Sequence, residues 1–229
     1  MVTIKGYPGE SVILQGSGRA GADSDGAIGS CRGPYSYISF EDMILDGVNR
    51  SHWWGVGSFG ACTGAEPSHH IRIKNIEIKN ACCNGISGPI DYAEILNVNI
   101  HDGGYDVFDH PIYAGGDNVL VEGSRFHHWT GYGIQLRTPG YPSSNWVIRN
   151  NIIYDNDASG IVLVTGGNHL VYNNLIYGNN GGILMFAASH KIYNNTIVNN
   201  NKNGAGAGIY INSGDASTVE IKNNINYGN

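Results

Sequence analysis

A short block of apolar residues around an Asn recurs along the chain and gives it a regular hydrophobic pattern. An apolar residue is followed two positions later by Asn, and five positions later by another apolar residue. The clearest copies are Ile148–Ile153, Val171–Ile176 and Ile192–Ile197, and variants begin at Ile38, Ile73, Ile95, Val121 and Ile221. The shortest spacing between copies is 21 residues and the longest 35. The short spacings predict one coil of a solenoid, and the longer ones predict loops inserted into a coil.

A second block follows the first and reads Gly, Ile, any residue, then an apolar residue. Clear copies begin at Gly133, Gly160, Gly182 and Gly208, and partial copies begin at Gly85 and Pro111. Each coil therefore contains at least two strands, with a short third segment closing the turn. Stacked coils place like residues above like residues and bury a common apolar interior. The prediction is an all-β chain forming one domain over residues 1–229, a single-stranded right-handed parallel β-helix of about eight coils.

The Asn in each copy of the first block is predicted to be structural. Asn tolerates the left-handed backbone that tight corners need, and Asn above Asn forms a ladder of side-chain amides. The residues concerned are Asn75, Asn97, Asn150, Asn173, Asn194 and Asn223.

Composition agrees with many short strands and excludes several functions. The chain has 34 Gly, 14% charged residues and 41% hydrophobic residues, a profile poor in helix formers and unlike that of a disordered chain. The net charge is -6, and no basic stripe of the kind that binds nucleic acid is present. A polyanionic ligand would therefore need a local cationic site or a bridging metal ion.

The cysteines and the ends of the chain bear on its location. Cys31 and Cys62 could form a disulfide in a secreted protein, or they could be small buried thiols in early coils. No signal peptide or membrane span is found, and a strand begins almost at once, which suggests that a leader or cap has been removed. We expect a secreted or cell-surface protein. The ends read as uncapped coils and predict truncation, a covering loop or end-to-end self-association.

The early coil and the Asn–Asn–Thr–Ile motif carry a family resemblance. The segments Ile4–Glu10 and Val12–Gly16 look like the first coil of bacterial β-helix repeat proteins, and Asn194–Ile197 resembles a later coil. The chain thus resembles the pectate-lyase-like superfamily from Thr3 to Asn229. That resemblance implies secreted lyases, hydrolases or epimerases that act on uronate polysaccharides. The chain lacks the Asp–Pro–His–Glu motif of alginate epimerases, and Asp109–Pro111 has similar residues in another order.

Strand alternation indicates where chemistry could lie. Ile134 and Leu136 are predicted to point inward, so Gln135 and Arg137 point outward, next to Tyr113 of the preceding coil. Two insertions, residues 101–113 and 138–145, flank this strand, and insertions in solenoids often build binding sites.

This region predicts a polysaccharide site in which β-elimination is the favoured chemistry. The predicted catalytic residues are Arg137, His110, Tyr113 and Asp109, and the predicted substrate-binding residues are Gln135, Tyr132, His128 and Trp129. Arg137 would neutralise the uronate carboxylate or act as base, His110 would act as base, and a tyrosine, Tyr113 or Tyr132, as acid. A hydrolase would use two of Asp102, Asp106 and Asp109 instead. Clustered Asp residues could also bind Ca²⁺.

Two further interpretations of the whole chain are open, a non-catalytic glycan-binding module and a structural β-helix that is a fragment of a larger protein. The outward positions of later coils bear on the first of these, because Val162, Leu184, Phe186 and Tyr210 are apolar or aromatic. Such a strip is covered by a loop or forms a surface for a sugar or a partner.

Overall fold

The computed structural model of the chain describes residues 1–15, 26–28, 33–48, 54–56, 66–137, 140–186, 189–204, 206–212 and 218–229. Across these residues the regular elements are β-strands that pair in parallel from coil to coil. The predicted all-β solenoid is confirmed.

The strands form three columns that run the length of the described stack. The first column contains β1 (Val2–Lys5), β4 (Ser36–Asp46), β6 (Ser68–Lys79), β8 (Glu94–Leu96), β11 (Leu120–Glu122), β15 (Val147–Arg149), β18 (Leu170–Tyr172), β21 (Lys191–Tyr193) and β24 (Glu220–Lys222). The second contains β2 (Ile13–Gln15), the later halves of β4 and β6, β9 (Asn99–Gly103), β12 (Arg125–Trp129), β16 (Ile152–Tyr154), β19 (Leu175–Tyr177), β22 (Thr196–Val198) and β25 (Ile225–Tyr227).

The third column contains β3 (Gly26–Ile28), β5 (Trp54–Val56), β7 (Asn84–Asp91), β10 (Ile112–Asp117), β13 (Ile134–Leu136), β17 (Ser159–Leu163), β20 (Gly181–Met185) and β23 (Ile209–Ile211). A short strand, β14 (Ser143–Ser144), pairs with the end of β10. The third column is the wall on which sequence analysis placed the chemistry.

The interior of the solenoid is a continuous apolar core built from stacked Ile residues. In the third column Ile134 pairs with Ile112 on one side and Ile161 on the other, and Ile161 pairs with Ile183. All four are at most 1% exposed. Because the register is fixed, the outward side chains between them also fall into rows.

The corner asparagines have the left-handed backbone that the sequence predicted. Their φ angles lie between 50° and 58°, at Asn75, Asn97, Asn150, Asn173, Asn194 and Asn223. The amide ladder, however, is largely made by the residue after each of them. Asn97 does donate to Asn75 Oδ1, but in the later coils Asn151, Asn174 and Asn195 are buried and hydrogen-bonded in sequence. The predicted ladder was therefore placed one residue too early over most of its length.

A second buried ladder runs along the next corner. Asn156 donates to Asn179, Asn179 to Asn200, and Asn200 to Asn229, each through Nδ2 to the next Oδ1 at 2.9 Å. Each of the first three also donates to a backbone carbonyl. The two ladders satisfy polar groups that the tight corners would otherwise leave unpaired in the interior.

Some of the remaining predictions concern residues that the structure does not describe. Cys31 and Cys62, and therefore the proposed disulfide, lie outside them. Cys82 is buried and Cys83 half-buried, both as free thiols, with their sulfurs 2.9 Å apart. None of the described segments is a helix with the length and apolar character needed to cross a membrane. End-to-end association stays a prediction.

Candidate functional site

One row of side chains points outward from the third column. Strand pairing aligns Tyr113 with Ser87 on one side and with Gln135 on the other. The same row continues through Val162, Leu184 and Tyr210. We call this set, from Ser87 to Tyr210, the outward row. The predicted neighbours Tyr113 and Gln135 are therefore in direct register.

His110 precedes β10 and sits between two tyrosines. Its ring centroid lies 5.6 Å from that of Tyr113 and 5.2 Å from that of Tyr132. The backbone N–H of Tyr132 donates to His110 Nδ1 over 2.9 Å, and the His110 N–H donates to Asn84 Oδ1 over 2.7 Å. His110 is 2% exposed. The structure thus brings together three of the predicted residues, and it holds His110 through one hydrogen bond to its ring and one from its backbone.

The surroundings of His110 oppose its predicted role as a base. Burial lowers its pKa to about 4, so the imidazole is neutral at neutral pH. Because Nδ1 accepts a hydrogen bond from the backbone, its lone pair is occupied and the proton is on Nε2. His110 is therefore a neutral ring held beside the two tyrosines, and its role as a base stays a prediction.

Asp109 closes the loop that precedes His110. Its Oδ2 accepts the backbone N–H groups of Tyr105 at 2.8 Å and Asp106 at 2.9 Å. Asp106 in turn accepts the N–H of Phe108. Burial raises the pKa of the Asp109 carboxyl. These contacts give Asp109 a structural role in the loop.

Arg137 follows β13 and is exposed. Its backbone N–H donates to the carbonyl of Ala114, which keeps it in the stack. Its guanidinium has no ion-pair partner among the described residues, unlike Arg72 and Arg149, which pair with Glu94 and Glu122. Gln135 is 8% exposed and is therefore largely buried. Arg137 is thus a cation available to a ligand.

Two predicted substrate-binding residues lie elsewhere. Trp129 is 1% exposed, and its indole N–H donates to the Cys83 carbonyl at 3.0 Å. His128 lies within β12 of the second column, at its left-handed corner, between Asp102 and Asp155 at 3.7 and 3.8 Å. The cause is the left-handed backbone of His128, with φ of 53°, which breaks strict alternation and turns Trp129 into the core. Neither residue belongs to the third-column wall.

The three carboxylates predicted as candidates for hydrolysis make different contacts in different places. Asp102 accepts a hydrogen bond from His101 Nδ1 at 2.7 Å on the second-column corner. Asp106 and Asp109 hold the loop before β10. No group of three or more His, Cys, Asp or Glu side chains is placed to hold a metal ion within the described segments.

A groove of about 470 Å³ continues the wall beyond Val162. Its lining residues are Ser159, Asn180, Gly181, Ile183, Leu184, Phe186, Gly206, Ala207, Tyr210 and Asn212. Phe186 is 40% exposed and Tyr210 52% exposed, whereas Val162 is 1% exposed. The outward alternation pointed to Phe186 and Tyr210, but not to Asn180 or Ala207, which lie outside the strand blocks. Part of the apolar surface predicted at the outward positions of the later coils is therefore an open groove.

Comparison with known proteins supports the fold. A family model described as a right handed beta helix region matches residues 48–201 and 91–229. No curated protein matches the chain.

Solved structures with this architecture include uronate-polymer epimerases. The A-module of mannuronan C-5 epimerase AlgE4 from Azotobacter vinelandii has a TM-score of 0.55 and 16% identity, covering 99% of this chain and 84% of that one. The AlgE6 A-module from the same organism has a TM-score of 0.55 and 17% identity, covering 78% and 55%. The periplasmic alginate epimerase AlgG has a TM-score of 0.56 and 14% identity, covering 84% and 46%.

The chain spans about half the length of the AlgE6 module and of AlgG. At these identities the likeness shows the fold. The resemblance to pectate-lyase-like β-helix proteins is confirmed at that level. With the family model matching most of its length, the chain belongs to the right-handed β-helix family.

Proposed function

We propose that the chain binds an acidic polysaccharide along the outward row and cleaves it by β-elimination. The observation that carries the proposal is the exposed Arg137, which has no ion-pair partner in the described part of the chain and lies at the rung after that of Tyr113, on a wall that continues into a groove. Mannuronan and alginate, named for the epimerases of similar fold, are polymers of uronates. A polymer of that size would be met outside the cytoplasm, so a periplasmic or extracellular location is part of the proposal.

The chemistry assigns one task to each residue. The Arg137 guanidinium neutralises the uronate carboxylate, which acidifies the proton on the adjacent carbon. Tyr113 reacts as its phenolate: it takes that proton and becomes a phenol, while the electron pair forms a carbon–carbon double bond and the bond from the next carbon to the glycosidic oxygen breaks. The phenol so formed then gives the proton to the departing oxygen, which regenerates the phenolate, so that no other acid is needed. Gln135 orients a hydroxyl of the sugar between them.

His110 and Tyr132 act through Tyr113. The neutral His110 ring fixes the side of the Tyr113 ring that faces the preceding loop. Tyr132 supports His110 through both its backbone N–H and its ring. Such fixed neighbours keep a proton-transfer group within the short distance that catalysis needs.

A non-catalytic glycan-binding module is the second candidate. The groove carries no carboxylate, imidazole or cation among its described lining residues. A wall with one arginine and two exposed aromatic side chains could hold sugar without any reaction.

Incubation with a panel of polyuronates tests the proposal. Pectate, polymannuronate, polyguluronate and polyglucuronate, each with and without calcium, should include one that yields the absorbance of an unsaturated uronate. Arg137→Ala and Tyr113→Phe should each reduce the rate at least about a hundredfold. Arg125→Ala is the matched control, because Arg125 is an exposed arginine on the second column.

The outcomes separate the two candidates. Polyuronate binding that depends on Arg137, with no double bond formed, would support the binding module and contradict cleavage. Epimerised product of unchanged chain length would also contradict cleavage. Equal activity of wild type and Arg137→Ala would contradict the site itself.

A further inference from the structure

The groove beyond Val162 differs in chemistry from the Arg137 end of the same wall. Its described lining residues are all uncharged, and they include two exposed aromatic side chains, Phe186 and Tyr210, as well as the amide or hydroxyl side chains of Asn180, Asn212 and Ser159. We infer that this groove binds an uncharged sugar unit, so that the natural ligand is a heteropolysaccharide in which acidic units are separated by neutral ones. The inference rests on the proposed function and narrows its substrate class.

Electrostatics argues against a uronate in the groove. A carboxylate placed there would lose part of its hydration without gaining a free cation. Lys202, next to the residue that bonds Asn180, is already paired with Asp157, and Arg137 lies two rungs away. At about 4.8 Å per rung, that separation is roughly 10 Å, about a Debye length at physiological salt. Removing an unpaired charge from water carries a desolvation cost. A homopolymer of uronates would place a carboxylate in the groove and incur this cost, whereas a polymer with a neutral unit there would not.

The shape of the groove suits a flat, partly apolar ring. Phe186 directly follows β20 and Tyr210 lies in β23, on the next rung, so the lining includes aromatic side chains from two consecutive rungs. Gly181, Gly206 and Ala207, which also line the groove, add little side-chain volume. A pyranose presents C–H groups on its face and hydroxyls on its edge, so its face contacts the aromatic rings while its edge contacts the amides.

The distance between rungs along the wall determines which sugar units of a bound chain lie beside Arg137 and beside the groove. One pyranose of an extended chain is about as long as one rung of the solenoid, roughly 5 Å. A chain whose acidic unit binds Arg137 therefore places the units two and three positions further on beside Phe186 and Tyr210. A strictly alternating acidic polymer would bring a second carboxylate to Phe186. The favoured ligand thus has a single acidic unit in a longer neutral repeat.

Oligosaccharides of known charge pattern test this inference by isothermal titration calorimetry. The probes are cello-oligosaccharides, which are neutral, oligoglucuronates, hyaluronan oligosaccharides, which alternate, and gellan oligosaccharides, which carry one glucuronate in each repeat of neutral sugars. Among them, wild type should bind the gellan probe most tightly. Phe186→Ala and Tyr210→Ala should each weaken gellan and cello-oligosaccharide binding at least about tenfold, the loss expected for one aromatic contact.

Matched variants distinguish this inference from the proposed function. Tyr92→Ala removes an exposed tyrosine on a corner away from the groove and should leave every affinity unchanged. Loss of cello-oligosaccharide binding in Phe186→Ala, with no effect of Arg137→Ala on any probe, would support the groove and contradict the proposed acidic site. Oligoglucuronate bound as tightly as gellan, or unchanged gellan affinity in both aromatic variants, would overturn the groove inference alone.

Discussion

Asn174 donates from Nδ2 to Asn195 Oδ1 over 2.9 Å, and the backbone N–H of Asn174 donates to the same oxygen over 3.0 Å. Its own Oδ1 accepts both the Nδ2 and the backbone N–H of Asn151. Its Nδ2 also reaches the carbonyl of Ile148. One buried side chain therefore connects three consecutive coils and satisfies polar groups in each of them.

Asn174→Ala should consequently cost much more than an ordinary surface change. It leaves the Asn151 N–H and the Ile148 carbonyl without their partners in the interior, which we expect to reduce the free energy of unfolding by about 3 kcal/mol. Asn173→Gly is the control, because it keeps the left-handed backbone at the exposed neighbouring residue. Urea unfolding of both variants measures the difference. Equal stability of the two would show that the ladder contributes little.

The ladder also shows which features of the fold could be predicted from the sequence and which could not. The repeat predicted the coils, the register of Ile134 with Ile161, and the left-handed asparagines. It could not decide which of two adjacent asparagines turns inward, because both fit the same spacing. That choice depends on corner geometry, which places Asn174 inside and leaves Asn173 exposed.

The candidate site was predictable to a similar degree. Alternation within a strand placed Tyr113 beside Gln135. Trp129, predicted to bind substrate, is instead buried, since the left-handed residue before it turns its side chain into the core. The protonation of His110 also lay beyond the sequence, because it depends on burial and on a backbone donor in the next coil.

Buried histidines predict loss of stability in acid. Burial lowers the pKa of His169 to about 3, with His190 beside it acting in the same direction, while an unfolded histidine titrates near 6.5. The unfolded state therefore binds the proton more tightly, and the contribution to stability is complete above about pH 6.5 and is lost as the pH falls toward 3. The loss is about 1.4 kcal/mol per pH unit for one such group.

His169→Asn tests this pH dependence directly. The Asn amide can still accept the backbone N–H of Trp146, which in the wild type donates to His169 Nδ1 at 3.2 Å. We expect the slope of unfolding free energy against pH to fall by about one proton between pH 6 and 4. Chemical unfolding at intervals across that range gives the slope. The same slope in both proteins would assign the acid sensitivity to other groups.

The paired thiols predict a poorly reactive cysteine. The hydrogen bond with Cys82 raises the pKa of the Cys83 thiol, and burial raises it further. Since the thiolate is the nucleophile, iodoacetamide should alkylate Cys83 at neutral pH at least about tenfold more slowly in the native protein than in urea. Peptide mapping by mass spectrometry monitors this residue alone. Cys82→Ala should accelerate the reaction, and an unchanged rate would show that the neighbouring thiol is irrelevant.

The packing of Trp129 against Gly103 predicts that residue 103 has no room for a side chain. A Cβ on Gly103 would overlap the Trp129 ring, so Gly103→Ala should destabilise the protein by about 1 to 3 kcal/mol. Gly123→Ala is the control, because its Cβ would meet open space and only the positive φ of 66° opposes it. Thermal unfolding compares the two. A smaller loss at Gly103 than at Gly123 would contradict the observed contact.

His110 offers a direct test of positioning against base catalysis. His110→Asn keeps an acceptor for the Tyr132 N–H and removes the ring beside Tyr113, whereas His110→Ala removes both. If His110 only positions its neighbours, Asn should retain most of the unfolding free energy and reduce turnover moderately, while Ala should lose about 2 kcal/mol more stability. Because the pKa of His110 is lowered to about 4, its ionisation should not shape the pH–rate profile between pH 5.5 and 8. Abolished turnover in His110→Asn with unchanged stability would instead make His110 a proton-transfer residue, and Tyr113 would lose the role proposed for it.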